Sequence, residues 1–416
     1  VPGVRAVRAV RDRTFRERET RIAHDAPPGA VYRHTLTTLP DGRVLVVGGD
    51  VGGEGTTACW LFDSTTGRIQ TAAPAPIELS NHTATLLPDG TVLVAGGSSA
   101  LIEAYGYLYH PLFDAWTRTS AMPIAHAGRP CAILLENGDV LLVGGEVNGT
   151  PTAMTSIYRH SSGQWVNGTA MVEARTDAAL VHGPDRTVLI FGGAGLVQPE
   201  RYDPAIDAWT EEPATPECLL GFGTRALPLN DGRVLVIAGR TGGGDIGVAV
   251  DAAYVYDPEA HEFTALTAPG WLAAFRADAA CIVCDDGKVL ICGGQEEEYG
   301  GDLQALFDPF TGTFTHVGLP SNDVFIDTVA HAQLAWLPGN RVLAWGGMIS
   351  DQNPSVAAGV LDLRESADTR QWSTVGDGTF PARTFDAGAF GVDVVLDGVP
   401  SSAIDLTPSP TIEVAP

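Results

Sequence analysis

The chain has 416 residues, a formal net charge of −25, 44% hydrophobic residues, 49 glycines and 28 prolines. The charge repels phosphate backbones and anionic bilayers, which excludes nucleic acid as an expected partner; no run approaches the ~18 apolar residues of a spanning helix, which excludes membrane insertion. Glycine and proline are spread along the chain instead of pooled, and the apolar fraction suffices for a large core, which excludes a disordered chain.

Residues 1–30 stand apart from the rest of the chain. It opens at Val1 and not at Met, which is read as the mark of a removed secretory or lipoprotein leader, or of a fragment. The expected location is secreted, periplasmic or cell-surface. The segment Arg13 to Ile22 has the character of an outer strand.

From residue 31 a phrase recurs seven times: a turn, a short Val/Leu run, then a glycine pair. It first reads Asp41-Gly42-Arg43-Val44-Leu45-Val46-Val47-Gly48-Gly49 and returns ending at Gly97, Gly145, Gly193, Gly239, Gly294 and Gly347. The intervals are 48, 48, 48, 46, 55 and 53 residues, room for four short strands and their turns, so one supersecondary unit is repeated. Residues 82 to 95 show its first half. His82 to Leu87 is a strand, Pro88-Asp89-Gly90 a turn, and Val92 to Ala95 a second strand. Asp-Gly between such runs predicts a hairpin with a two-residue type I′ turn. A continuously apolar second strand predicts burial on both faces.

A third strand with a Tyr-Asp-Pro-like end comes next, and six residues later an aromatic opens the fourth: His110 to Trp116, Arg159 to Trp165, Asp203 to Trp209, Asp257 to Phe263, Asp308 to Phe314, with Ile69 in the aromatic place after Asp63. These are read as packing devices. Together the glycine pair, the Tyr202-Asp203-Pro204 and Tyr256-Asp257-Pro258 turns and the spaced Trp resemble the kelch-repeat β-propeller family over residues 31 to 381. The resemblance implies an all-β propeller with seven clear four-stranded blades, at about 31–78, 79–126, 127–174, 175–222, 223–272, 273–325 and 326–381. A degenerate eighth blade is expected at 382–416, closed by a strand from residues 1–30; Thr411 to Val414 is the rival closing strand.

The six cysteines stand at 59, 131, 218, 281, 284 and 292, with no two-CxxC zinc pattern. With Asp286-Gly287 as a two-residue loop, Cys281 pairs across from Cys292, at disulfide reach. Cys281 and Cys284 lie on one strand at odd spacing, so their thiols face opposite ways.

By the resemblance, first strands line a central channel, and the loops between second and third strands (b–c loops) share one face with the blade-to-blade connections. That face is the expected binding surface. Its long loops give Arg240, Asp245, Gln295, Glu296, Glu297, Glu298 and Asp302 as binding candidates. Glu296, Glu298 and Asp302 would be the ligands if Ca²⁺ bound, although no EF-hand or RTX spacing is present. Otherwise no cofactor is expected. At the channel, Arg175, Arg225 and Arg276 are candidates for holding a carboxylate, while Arg175-x-Asp177 and Arg276-x-Asp278 read as local ion pairs joining blades. Galactose-oxidase-like kelch enzymes need two Tyr, two His and a Cys cross-linked to one Tyr around copper; here Tyr109, Tyr158, Tyr202, Tyr254 and Tyr256 fall on third strands, and no copper set remains. The expectation is a non-catalytic binding or scaffold propeller recognising a protein or glycan through the b–c face. The alternative is an enzyme resembling kelch-type sialate mutarotases, with an acidic sugar in the channel.

Overall fold

The computed structural model describes residues 31–98, 104–193, 198–213, 220–237, 239–241, 248–250, 252–267, 278–294, 304–317, 332–350, 353–354, 358–363, 372–374, 384–387 and 392–395. Seven antiparallel sheets succeed one another along the chain, each with four consecutive strands, a to d. Blade 1 consists of Thr35–Thr38, Arg43–Val47, Cys59–Asp63 and Arg68–Thr71. The a strands of blades 2 to 7 start at Thr83, Ala127, Ala179, Arg225, Ala280 and Gln333.

Period-2 geometry explains the apolar b strands. Val44 and Val46 pack against blade 7, whereas Leu45 and Val47 pack against blade 2. Both faces of each inner strand are therefore core, and polar alternation has no place. Seven apolar clusters result, one at each seam between neighbouring blades. The seventh joins Leu343 and Trp345 of blade 7 directly to Val44, Trp60 and Phe62 of blade 1. Across that seam Thr38 Oγ1 donates to the Trp336 carbonyl at 2.8 Å and Gly347 N to the Val31 carbonyl at 3.0 Å.

This closure corrects the blade count. Blade 7 meets blade 1, so the ring has no slot for an eighth, and Thr384–Ala387 with Val392–Val395 is a two-stranded hairpin. Each of the seven blades also has its own four strands, so none requires one from residues 1–30; those residues and 396–416 lie outside the described ones.

The aromatics six residues past the third-strand end act as read. Tyr109 faces Trp116, Tyr158 faces Trp165, Tyr202 faces Trp209 and Tyr256 faces Phe263, with ring centroids 5.1, 5.2, 5.0 and 4.5 Å apart. Such cross-strand pairs stabilise by about 0.5–1.5 kcal/mol beyond area burial. The glycine pair is steric. A Cβ on Gly48 would lie 2.5 Å from the Leu79 carbonyl, where the chain enters blade 2, and one on Gly49 would lie 2.9 Å from the Tyr32 carbonyl, where it enters blade 1.

The hairpins differ from the type I′ expectation. Leu39 N donates to the Arg43 carbonyl at 2.7 Å and Gly42 N to the Leu39 carbonyl at 2.9 Å, with Gly42 at φ +84°. That is a three-residue loop ending in a left-handed glycine. The same loop between Cys284 and Lys288 shifts the register by one, so Ala280 opposes Cys292 and Cys281 opposes Ile291. A one-residue shift flips a side chain to the other face. Accordingly Cys281 packs toward blade 5 and Cys292 toward blade 7; both remain thiols, and the expected disulfide is absent. Cys281 and Cys284 do lie in different seams, as their spacing implied. Burial pushes the Cys59, Cys131 and Cys281 thiols up to about 12, which makes them poor nucleophiles.

Candidate functional site at the axial mouth

Two residues ahead of the first a-strand residue paired with the end of strand b stands a belt around the ring axis. Arg33, Asn81, Asp177, Gly223 and Asp278 occupy this place in blades 1, 2, 4, 5 and 6, with φ between +54° and +70°. Their backbones bond from blade to blade. Asn81 N donates to the Arg33 carbonyl at 3.0 Å, Asp177 N to Arg129 at 2.8 Å, Gly223 N to Asp177 at 3.1 Å and Asp278 N to Gly223 at 3.3 Å. In blade 3 a bulge moves the left-handed turn to Gly128 (φ +66°), and Arg129 joins the belt through Nε, which donates to Asn81 Oδ1 at 3.2 Å. Left-handed backbone costs a non-glycine residue about 1–3 kcal/mol, least for Asn and Asp, and persists where the surroundings enforce it. Gly223 is needed for another reason: a Cβ there would lie 2.6 Å from Asp278 Oδ1.

The belt carries a charge network spanning blades 3 to 6. Arg129 Nη1 bonds Asp177 Oδ2 at 2.7 Å, Arg240 Nη2 lies 2.6 Å from Asp278 Oδ2 and 3.6 Å from Asp177 Oδ2, and Arg225 Nη2 lies 3.4 Å from Asp278 Oδ1. Among the described residues, three guanidinium groups thus meet two carboxylates. Arg240 and Asp278 are each 1% exposed, whereas Arg129 and Arg225 keep 19% and 28% of their side chains open. The buried pair locks blades 5 and 6 together, and the two outer arginines keep part of their side chains open at the mouth. Beside it, Arg33 pairs with Asp50 at 2.9 Å and stacks its guanidinium 4.9 Å from the Tyr32 ring centroid.

Sequence reasoning points to Arg225 and Arg240, and the structure brings both here. Arg240, expected on an exposed loop, is instead fully interior. Arg175 lies elsewhere: it is 1% exposed, bonds Glu200 at 2.8 Å, donates to the Gly192 and Gln198 carbonyls, and its acid also takes the N–H groups of Val172 and Glu173. Burial lowers its pKa, and every contact is structural. The expected Arg175–Asp177 pair is therefore replaced by Asp177 with Arg129 and Arg240. Asp245, Gln295, Glu296, Glu297, Glu298, Asp302 and Arg276 lie outside the described residues, and with them the Ca²⁺ reading. In the sequence Asp177 and Asp278 stand out as ion-pair partners of Arg175 and Arg276, and Arg129 only as a polar residue near strand a. The signal that joins them is the run of Asn, Asp and Gly at one register, residues that tolerate left-handed backbone.

A second buried carboxylate, Glu212, stitches blades 4 and 5 at the outer edge. It accepts from Arg201 Nε, from the Tyr256 hydroxyl and from His261 Nδ1 at 2.7 Å. Burial pushes its pKa up, but the hydrogen bonds from Arg201, Tyr256 and His261 outweigh it and hold the carboxyl below its usual value.

No protein-family model matches the chain. Among curated proteins, Beta-scruin of Limulus polyphemus is 30% identical over 204 residues, 45% of this chain and 21% of that protein. The chain thus matches about a fifth of that relative's length. The chain is a seven-bladed β-propeller. Among solved structures, a fungal alcohol oxidase of the AA5 family in complex with copper superposes with a TM-score of 0.64 at 20% identity, covering 85% of this propeller and 77% of that chain.

The oxidase overturns the expectation of a non-catalytic binding or scaffold propeller read through its b–c loops. A kindred ring is an enzyme, so blade architecture gives no ground for classing this one as non-catalytic. The acidic-sugar alternative loses Arg175 to Glu200. The donors present do not suit copper either: among the described residues no group of three or more His, Cys, Asp or Glu could hold a metal. The five tyrosines read as third-strand residues do lie on c strands of blades 2 to 5, and Tyr105 and Tyr107 share the strand of Tyr109. The described residues do not fit the copper of the AA5 oxidase.

Proposed function

We propose that the axial mouth is a small-molecule site for a ligand with one anionic group, a carboxylate or a phosphate. The observation that carries this reading is the pair of guanidinium groups, Arg129 and Arg225, that stay partly open at the mouth of a chain of net charge −25. Local positive potential inside an acidic protein draws an anion to one place. Arg240 is fixed by Asp278 and serves as scaffold, while Arg129 and Arg225 present their open fractions to the ligand. Left-handed belt residues hold these groups before binding, which lowers the ordering cost.

Isothermal titration with inorganic phosphate and with acetate at low ionic strength tests it. Wild type is expected to bind one of them, with Arg225→Gln weakening that binding about tenfold, the equivalent of ~1.4 kcal/mol. Equal heats for wild type and variant, or none for wild type with either anion, would refute the siting.

A further inference from the structure

The opposite face, made of a–b and c–d turns, carries a feature that neither the core nor the axial site uses. We infer that this face docks a partner protein whose contact surface is basic and bears apolar sockets. Among the described residues the large hydrophobic side chains most open to water are Phe310 (95%), Leu112 (90%), Phe113 (79%) and Ile206 (71%). All four sit on c–d turns, those of blades 2, 4 and 6. The c–d turns of blades 1, 3 and 5 carry Thr65, Ser161 and Glu259 in the corresponding stretch. Isolated exposed apolar residues need no explanation, but four confined to one turn type on alternate blades form a pattern.

Both kinds of turn share a face. Arg233, at the end of the blade 5 a–b turn, donates to the Pro309 carbonyl in the blade 6 c–d turn at 3.0 Å, and Arg43 reaches Pro111 of blade 2 in the same way at 3.5 Å. The apolar tips are held rigidly. Phe310 N donates to Asp308 Oδ1 at 3.0 Å, Ala205 N to Asp203 Oδ1 at 2.8 Å, and the Tyr109 and Tyr202 hydroxyls to Asp114 and Asp207 at 2.9 Å each. A tip fixed before contact loses little freedom on docking. The same bonds set a carboxylate beside every tip. The arginines that reach Pro111 and Pro309 are already paired with Asp41 and Asp231, so apolar prongs with a carboxylate beside each, on a chain of net charge −25, complement a basic surface and repel a second copy.

The test compares the full chain with Leu112→Ser/Phe113→Ser/Ile206→Ser/Phe310→Ser, and with Phe310→Ser alone as a single change at a fully open tip. The probe is a synthetic amphipathic Lys/Leu helix, with a Lys/Ser peptide of equal charge and a Glu/Leu peptide of equal apolar face as controls. The Lys/Leu peptide is expected to bind wild type, to weaken about tenfold on the fourfold variant and measurably on Phe310→Ser, and to weaken again as salt rises past about 0.15 M. The controls are expected to bind neither protein well. Equal affinity of Lys/Leu for wild type and variants would overturn the proposal. Wild-type dimers lost in the variants would overturn it in favour of a second copy, and flotation with neutral phosphatidylcholine vesicles lost in the variants would overturn it in favour of lipid.

Discussion

Arg and Asp pair at both ends of the ring, at nearly the same distances, with different consequences. At the axial mouth Arg240 and Asp278 approach to 2.6 Å, both 1% exposed, and belong to different blades. At the turn face Arg233 and Asp231 also approach to 2.6 Å, Arg43 and Asp41 to 2.7 Å and Lys288 and Asp286 to 3.0 Å, but each pair sits two residues apart within one turn and is a quarter to a half exposed. Distance alone does not separate the two sets. Burial and the number of blades joined do, because water screens the turn pairs while the axial charges are shielded from it.

Removing Asp278 is the strongest way to test that contrast. Asp278→Ala leaves Arg240 charged, buried and without its 2.6 Å partner, and removes the 3.4 Å ion pair of Arg225 as well. A loss of about 3–5 kcal/mol in urea unfolding is expected. Asp278→Ala combined with Arg240→Met, which removes the stranded charge, is expected to recover part of it. A loss below about 1 kcal/mol would put the axial pair in the class of the turn pairs.

The next effect is a pH dependence at the blade 7 to blade 2 side of the ring. Burial lowers His34 to about 3, only partly offset by the Trp345 backbone, and lowers His82 to about 3, with His34 adding to the shift. The ordinary value for both is 6.5. Between those values the unfolded chain binds protons that the folded chain refuses, so stability is complete above about pH 6.5 and falls as pH drops toward 3. At pH 5 each histidine is expected to cost on the order of 2 kcal/mol relative to pH 7. Melting scans of His82→Asn should show a shallower decline over this window, and an unchanged decline would remove His82 as its source.

Much of the ring was legible, and the misreadings share a cause. Repeated Val/Leu runs, glycine pairs and spaced aromatics arise from local geometry, since each answers to its own blade or its immediate neighbour. Asp286-Gly287 also announced a hairpin correctly. What it did not announce was loop length: three residues and two residues use the same dipeptide, and the difference of one moved Cys281 and Cys292 to opposite faces. The axial network was hidden for a different reason. Asp177 finds Arg129 48 positions earlier and Arg240 63 positions later, partners that only closure of the ring brings together. Closure by seven rather than eight blades likewise depended on the fit of Trp345 against Val44 and Val46, which no single repeat encodes.

Glu212 lies between the two extremes, buried like the axial acids but at the outer edge. Its three donors come from blades 4 and 5, so Glu212→Gln keeps the shape and removes the charge that Arg201 and His261 face. A loss of about 1.5 kcal/mol at pH 7 is expected, from hydrogen bonds that a charge had strengthened. Its folded pKa is depressed, so its contribution is complete above the ordinary carboxylate range and disappears as pH falls through the folded value. Wild type and variant should therefore converge in acid. A gap that persisted at low pH would mean that packing, not charge, joins blades 4 and 5.

The smallest expected effect completes the comparison from the exposed side. Lys288 and Asp286 are 38% and 53% open, and Asp286 also accepts the Lys288 backbone N–H at 3.1 Å. Replacing Lys288 by Gln removes the ion pair while leaving that backbone bond and the turn's left-handed Gly287 in place. Water and salt already screen the pair, so the change should stay within about 0.5 kcal/mol and shrink further at high ionic strength. Asp286→Ala should cost more than Lys288→Gln, because it also removes the bond that shapes the three-residue loop. Equal costs from the two substitutions would assign the turn's stability to the charge pair, and would break the distinction between the two ends of the ring.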